Sequence, residues 1–245
     1  MGVLTSIVDR SISGSFESEV FKIGEDAFYG CSSLTSVTFP NATSIGDKAF
    51  GECSRLTSVS FPNAKSIGGN AFYYCSNLTS VSFPEATSIG GGAFYHCSKL
   101  TGVSIPKITS IGDYAFYYCS NLTSVSFPEA TSIGGGAFYY CSNLTSVSFP
   151  KATSIGGGAF YYCRSLTEVS FPNATSIDSE AFYNCTNLTT IYIGTNTSTV
   201  CTLSSTSAFT KCTNLTNIYV PSSLVDSYKS ATNWSSYASK IKATP

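Results

Sequence analysis

One stretch of 22 residues constrains this chain more than any other feature in it. Asn77 to Ser98, NLTSVSFPEATSIGGGAFYHCS, returns at Asn121 to Ser142 with a single change, His96 against Tyr140. Cysteines keep the same step from Cys31 through Cys53, Cys75, Cys97, Cys119, Cys141 and Cys163 to Cys185, and leucines keep it from Leu34 to Leu188. A fixed short period signals an array that grows by stacking one unit on the next. The 245 residues are therefore not to be divided by the size of an ordinary domain.

Composition matters here mainly by what it excludes. Charged residues make up 11% of the chain and the formal net charge is −1. That is too little charge for a disordered chain, and it gives no basic surplus for a nucleic-acid partner. No apolar run approaches the ~18 residues needed to cross a bilayer, so no membrane insertion is expected. The opening MGVLTSIVDR lacks the apolar stretch of a secretory leader. Gly2 and Ser6 do fit a myristoylation pattern, but one short enough to arise by chance.

Leu56 to Cys75 shows the plan of one unit. Val59 and Phe61 alternate with Ser58 and Ser60, which is strand periodicity. Pro62 ends the strand, having no N–H to give a ladder. Ala64 and Ile67 form a second short inward segment, and Gly68 and Gly69 turn the chain. Ala71, Phe72 and Cys75 follow at i, i+1 and i+4, spacing that predicts one helical turn pressed on the core. A single unit cannot bury its own apolar face, so stacking is obligatory and the ends need caps. Strands of successive coils should pair in parallel, about 4.8 Å apart.

The F-P step, the S-I-G turn and the A-F-x-x-C segment, repeated from about Ile23 to Pro221, resemble the BspA-like, or treponemal-type, leucine-rich repeat. The family unit is usually one residue longer between the proline and S-I-G, so one corner should be tighter here. The resemblance implies an α/β solenoid: a right-handed coil of 22-residue repeats with parallel strands on one face, short helical turns on the other, and a helical C-terminal cap. It also implies bacterial, protozoal or phage-associated surface proteins, placing the chain extracellularly or on a cell surface.

Three segments are expected. Residues 1–22 form an N-terminal cap, in which Val3, Leu4, Ile7 and Val8 have the spacing of a short amphipathic helix. Residues 23–222 form the solenoid of about nine coils, loosest at Lys99 to Ser120 and interrupted by an insertion at 194–207, where the cysteine step widens to 27 residues between Cys185 and Cys212. Residues 223–245 form a helical cap, with Leu224, Val225, Tyr228, Trp234, Tyr237, Ala238 and Ile241 at helical spacing. Lys240 and Lys242 suit the negative end of a helix dipole there. The insertion and this tail together resemble chain ends in phage-like genes of gut bacteria.

Candidate chemistry is sparse. The ten cysteines include no C-x-x-C, and a 22-residue step is not a zinc pattern. Stacked coils make them a ladder of buried thiols, with a bond from Cys201 to Cys212 or Cys185 left open. His96 is the only histidine, so a histidine-based triad or metal cluster has no partner. The glycine runs at Gly90 to Gly92, Gly134 to Gly136 and Gly156 to Gly158 lack the G-K-[ST] of a phosphate loop and read as turns. No cofactor, metal or catalytic constellation is expected.

Two faces are candidates for binding. The column Tyr74, His96, Tyr118, Tyr140, Tyr162 lies between core Phe and Cys positions and should point outward, beside Tyr73, Tyr95, Tyr117, Tyr139, Tyr161 and Tyr183. It is either a sticky ridge for sugars or protein side chains, or a cover for the gaps between turns. The strand face is a lattice of serine hydroxyls that Glu168, Tyr192, Asn217 and Tyr219 interrupt near its C-terminal end. A charge column, Glu85, Lys107, Glu129 and Lys151, alternates in sign and should neutralise itself. The leading functional expectation is a non-enzymatic binding or adhesion protein for a host-surface protein or glycan. A phage tail-associated receptor-recognition protein and a self-associating structural repeat are the alternatives.

Overall fold

Each 22-residue unit closes into one coil because its backbone groups find partners in the coils above and below. The structure, a computed structural model, describes the backbone of residues 2–4 and the whole of residues 20–245. Pairing is parallel and steps by one unit throughout the repeats: Val37 opposes Val59, Ile45 opposes Ile67, and Val125 opposes Val147.

Two strand columns result. The S-I pairs, such as Ser66–Ile67 and Ser110–Ile111, join a ten-stranded sheet that runs from Gly2–Leu4 and Val20–Ile23 to Thr202–Leu203. The S-V-S strands form a second column in three pieces. Ser36–Thr38 to Gly102–Ser104 makes a four-stranded piece, and Ser124–Ser126 pairs with Ser146–Ser148. Glu168–Phe171, Thr190–Ile193, Asn217–Val220 and Ile241–Ala243 complete the third. The first break follows Gly102, inside the copy whose sequence departs most from the consensus.

The expected helical turn on the remaining side forms only in the last coil, as the 3₁₀ segment Thr206–Phe209; in the 22-residue coils tight turns replace it, and the destination of their N–H groups gives the reason. Phe72 N–H donates to Ala93 O at 2.8 Å and Tyr74 N–H to Tyr95 O at 2.8 Å, both in the next coil. Tyr73 and Cys75 close local turns onto Asn70 O at 3.0 Å and Phe72 O at 3.1 Å. Asn70 and Tyr74 sit at φ 54° and 56°, the left-handed region. The segment is a pair of tight turns that adds a third inter-coil ladder, where a helix would have spent its N–H groups on itself.

The core lies inside the three ladders. In the coil dissected above, Leu56, Phe61, Ala64, Phe72 and Cys75 are fully buried. The A-F phenylalanines stack nearly parallel from Phe28 to Phe209, with centroids 5.3 Å apart through the middle of the chain. All ten cysteines are buried and none is joined in a disulfide, Cys201 included. They are more than small apolar fillers: Cys75 Sγ donates to Phe50 O at 3.1 Å and Cys119 Sγ to Phe94 O at 3.2 Å, a pattern that recurs up the stack. Each such carbonyl also accepts the N–H of the cysteine three residues on, as Phe50 O does from Cys53 at 3.2 Å.

Both ends differ from expectation. Gly2–Leu4 is a strand paired with Val20–Ile23, not the start of a helix; Ile7 and Val8 lie outside the described residues. The C-terminal cap is only partly helical. Short 3₁₀ segments at Ser222–Leu224 and Trp234–Lys240 flank one α-helix, Val225–Ser230, and the chain ends in the strand Ile241–Ala243. Lys240 stands in the last turn of its 3₁₀ segment, as expected, whereas Lys242 lies in the strand beyond it; Lys240 Nζ donates to Leu215 O and Lys242 Nζ to Asn217 Oδ1, each at 2.5 Å. The cap also does something the sequence did not announce. Its side chains satisfy the backbone of the last coils: Tyr228 Oη accepts from Cys201 N–H at 2.9 Å, Trp234 Nε1 donates to Cys201 O at 2.6 Å, and Asn233 Nδ2 donates to Leu203 O at 2.7 Å.

Candidate functional site

The turn side carries the most distinctive surface. The left-handed corner after each A-F-Y aims one side chain outward per coil, and the inter-coil ladder keeps these side chains in register. Tyr74, His96, Tyr118, Tyr140 and Tyr162 thereby form one continuous file, with ring centroids 4.6, 4.6, 5.0 and 4.7 Å apart. Beside it Tyr73, Tyr95, Tyr117, Tyr139, Tyr161 and Tyr183 form a second file at 5.3, 4.4, 5.1, 4.2 and 4.6 Å. The inner file is half-buried, while Tyr74 and Tyr118 are 40% and 38% exposed. Burial pushes the Tyr95 phenol up and holds the His96 imidazole below its ordinary value. His96 therefore acts as one more flat, neutral ring in the stack. Arg164 lies over the Tyr162 ring at 4.6 Å and Lys211 over Tyr183 at 5.2 Å, closing the C-terminal end of the ridge with cations.

These outer residues occupy backbone positions that favour glycine or asparagine. Tyr74, His96, Tyr118, Tyr140 and Tyr162 have φ of 56°, 58°, 61°, 59° and 60°. An aromatic residue there costs roughly 1–2 kcal/mol, which offset-stacked rings return at about 0.5–1.5 kcal/mol per pair. The file is thus close to neutral for folding, and stability alone does not account for a tyrosine at this corner.

The strand-face candidates are also brought together. Register places Glu168, Thr190 and Asn217 in one line and Ser170, Tyr192 and Tyr219 in the next. The Tyr192 and Tyr219 rings stack at 4.9 Å, and burial followed by the Glu168 charge raises the Tyr192 phenol. Asn217 is committed within the protein, donating to Thr190 Oγ1 at 3.4 Å and accepting from Lys242 at 2.5 Å. The charge column resolves into two exposed ion pairs, Lys107 to Glu85 and Lys151 to Glu129, each at 2.7 Å. Flanking Asn63 and Asn173 donate to Pro40 O at 2.7 Å and Pro150 O at 2.6 Å.

Among the described residues, no group of three or more His, Cys, Asp or Glu side chains is placed to hold a metal ion, and no helix is long and apolar enough to cross a membrane. Sequence reasoning missed three clefts along the N-terminal part of the ridge, all bordered by Tyr73. The signal was present: Gly51 and Glu52 stand where later coils carry paired aromatic residues.

Residues 11–123 and 131–242 match the BspA type leucine rich repeat region, in six copies. The crystal structure of a T. pallidum leucine rich repeat protein is similar at a TM-score of 0.63 and 30% identity, over 67% of this chain and 82% of that one. A leucine rich cell surface protein from Faecalibacterium prausnitzii aligns over 93% of this chain and 82% of its own at 24% identity and a TM-score of 0.47. A leucine-rich repeat protein from Bacteroides ovatus aligns over 95% and 84% at 23% identity and 0.43. No curated protein matches the chain.

Proposed function

Because the chain belongs to the BspA-type leucine-rich-repeat family, we propose that it is a non-enzymatic binding protein of the cell surface or its surroundings. On this reading it adheres to a protein or glycan on another surface through its tyrosine ridge. A leucine-rich-repeat solenoid is typically a binding scaffold, presenting side chains from a rigid array. The observation that carries the choice of ridge is the run of five consecutive aromatic residues in left-handed corners, where glycine or asparagine would fold more easily. The ridge also offers large, flat, preorganised contact area, and tyrosine gives such area at low conformational cost.

The strand-face end around Tyr192 and Tyr219 is the second reading. It is favoured by being the part of that face where large side chains displace the serines. One experiment separates the two. Labelled full-length protein is applied to epithelial cells, matrix proteins, glycans and bacterial cells, beside a variant with Tyr74, Tyr118, Tyr140 and Tyr162 changed to Asn. Asparagine tolerates the left-handed corner, so the variant should fold. Saturable binding that falls by about tenfold or more in the variant supports the ridge. Binding retained in full moves the site to the strand face.

A further inference from the structure

We propose that the interruption of the tyrosine ladder in its second coil is a carbohydrate subsite, a groove that takes a neutral oligosaccharide across Tyr73. This refines the ridge reading and holds only if the ridge is the binding face. The inner file runs Tyr29, Gly51, Tyr73, and the outer file runs Gly30, Glu52, Tyr74. Both rungs are therefore missing in one coil. Elsewhere the neighbouring rings of each file touch; here Tyr29 and Tyr73 border one open cleft of about 340 Å³, with Lys48, Glu52 and Asn70 completing its wall. Tyr29 leans over Gly51, its ring 2.8 Å from where a Gly51 side chain would begin, so the glycine is what lets Tyr29 take this position at the edge of the cleft. Its hydroxyl donates to the Glu52 carboxylate, which fixes both groups.

Two more clefts continue this one. On the outer side, a space of about 460 Å³ lies between Glu52, Ser54, Tyr73 and Tyr74. On the inner side, a space of about 530 Å³ is floored by Gly91 and Gly92 and walled by Tyr73, Asn70, Asp113 and Tyr114. Tyr73 borders all three.

The chemistry of this lining favours a sugar. A pyranose presents a flat C–H face and an equator of hydroxyls. The tyrosine rings match the face, and carboxylate, amide, ammonium and serine hydroxyl groups match the equator. Lys48 offsets Glu52 within one cleft, which disfavours strongly charged ligands. A peptide adding as a strand finds no opening, because the local backbone is already committed: Glu52 N–H donates to Tyr73 O at 2.6 Å and Tyr74 N–H to Tyr95 O at 2.8 Å. Coils stack about 4.8 Å apart, close to one pyranose length, so successive sugars can meet successive coils.

The test uses the full chain against immobilised cellohexaose, mannohexaose, xylohexaose, maltohexaose and chitohexaose, with sialyllactose as the charged control. Binding to at least one neutral hexaose is expected. It should weaken about tenfold in Tyr73→Ala and severalfold in Asn70→Ala and Glu52→Gln, and stay within about twofold in Lys229→Ala, an exposed residue of the cap. A second variant changes only Tyr118, Tyr140 and Tyr162 to Asn, leaving the groove intact. Should that variant lose cell binding while Tyr73→Ala and Asn70→Ala keep it, the ridge stands and the groove falls. Cell binding through the ridge with no neutral hexaose bound overturns the carbohydrate assignment. Absence of both kinds of binding overturns the groove and the ridge together.

Discussion

Cys53 and its fellows are where single residues decide most about this protein's chemistry. Burial pushes the Cys53 thiol up to about 12 from an ordinary 9.0, and raises Cys75, Cys119, Cys163 and Cys185 as well. The unfolded chain sheds these protons as pH passes 9, while the folded chain keeps them. Stability from this source is therefore complete below pH 9 and is lost as pH climbs toward the folded values. The melting temperature is expected to fall steadily from about pH 9 to about pH 11. Cys119→Ser keeps a donor for Phe94 O but removes one titrating group, so its melting curve should be the flatter of the two. A melting temperature indifferent to pH across that range would show that burial does not hold the thiols protonated. At the ridge, Tyr118→Asn exchanges stacking for backbone relief. Thermal unfolding should shift by less than about 1 kcal/mol in stability, even if binding collapses.

At the level of the coil, stacking depends on a lane of glycines: Gly46, Gly68, Gly90, Gly112, Gly134 and Gly156. A side chain at Gly112 would begin 2.8 Å from Gly90 C and Gly91 N and 2.9 Å from Ile89 O, all backbone of the coil below. Those atoms belong to a ladder, so a side chain there is accommodated only by shifting the backbone of one coil against the next. The lane stops at the C-terminal end, where Asp178 and Ser204 take the position and hydrogen-bond to one another at 2.7 Å. Gly102, in the same copy, is different: a Cβ there meets only Ser80 Cβ, at 3.8 Å. Gly112→Ala is expected to cost about 1–3 kcal/mol by overpacking. Gly102→Ala should stabilise by about 0.5–1 kcal/mol, since it removes unfolded-state freedom at no steric cost. Urea midpoints of the two variants check both signs, and equal midpoints would mean that the lane does not set the coil spacing. The strands were legible in the sequence because Val59, Phe61 and Ile67 alternate with serine. The turn side was misread because Ala71, Phe72 and Cys75 have the spacing of a helical turn. What decides against a helix is the acceptor of Phe72 N–H, which lies one coil away and leaves no trace in local spacing.

For the whole molecule, an array of identical units has no internal reason to stop, and its caps must supply one. The tail was legible as a cap from its apolar spacing, but its side-chain bonds to the last coil were not, because they depend on which backbone atoms that coil leaves without partners. Trp234 is fully buried, packs on Phe209 and Tyr228, and donates to Cys201 O at 2.6 Å; Tyr228 and Asn233 complete the seal. The terminal strand Ile241–Ala243 is only three residues long, carries Lys242 and is followed closely by Pro245, features that blunt a sheet edge. Removing everything after Pro221 strips the seal and leaves two strand edges and the Phe209 ring uncovered. The truncated chain is expected to grow in size with concentration in light scattering, whereas the full chain should not. Trp234→Phe keeps most of the packing but leaves Cys201 O without its donor. A loss of about 1–3 kcal/mol follows from one buried carbonyl left unsatisfied, without assembly. If the full chain itself grows with concentration and truncation adds nothing, the contacts lie on the flanks of the stack, and the self-associating reading of the repeat gains over the adhesive one.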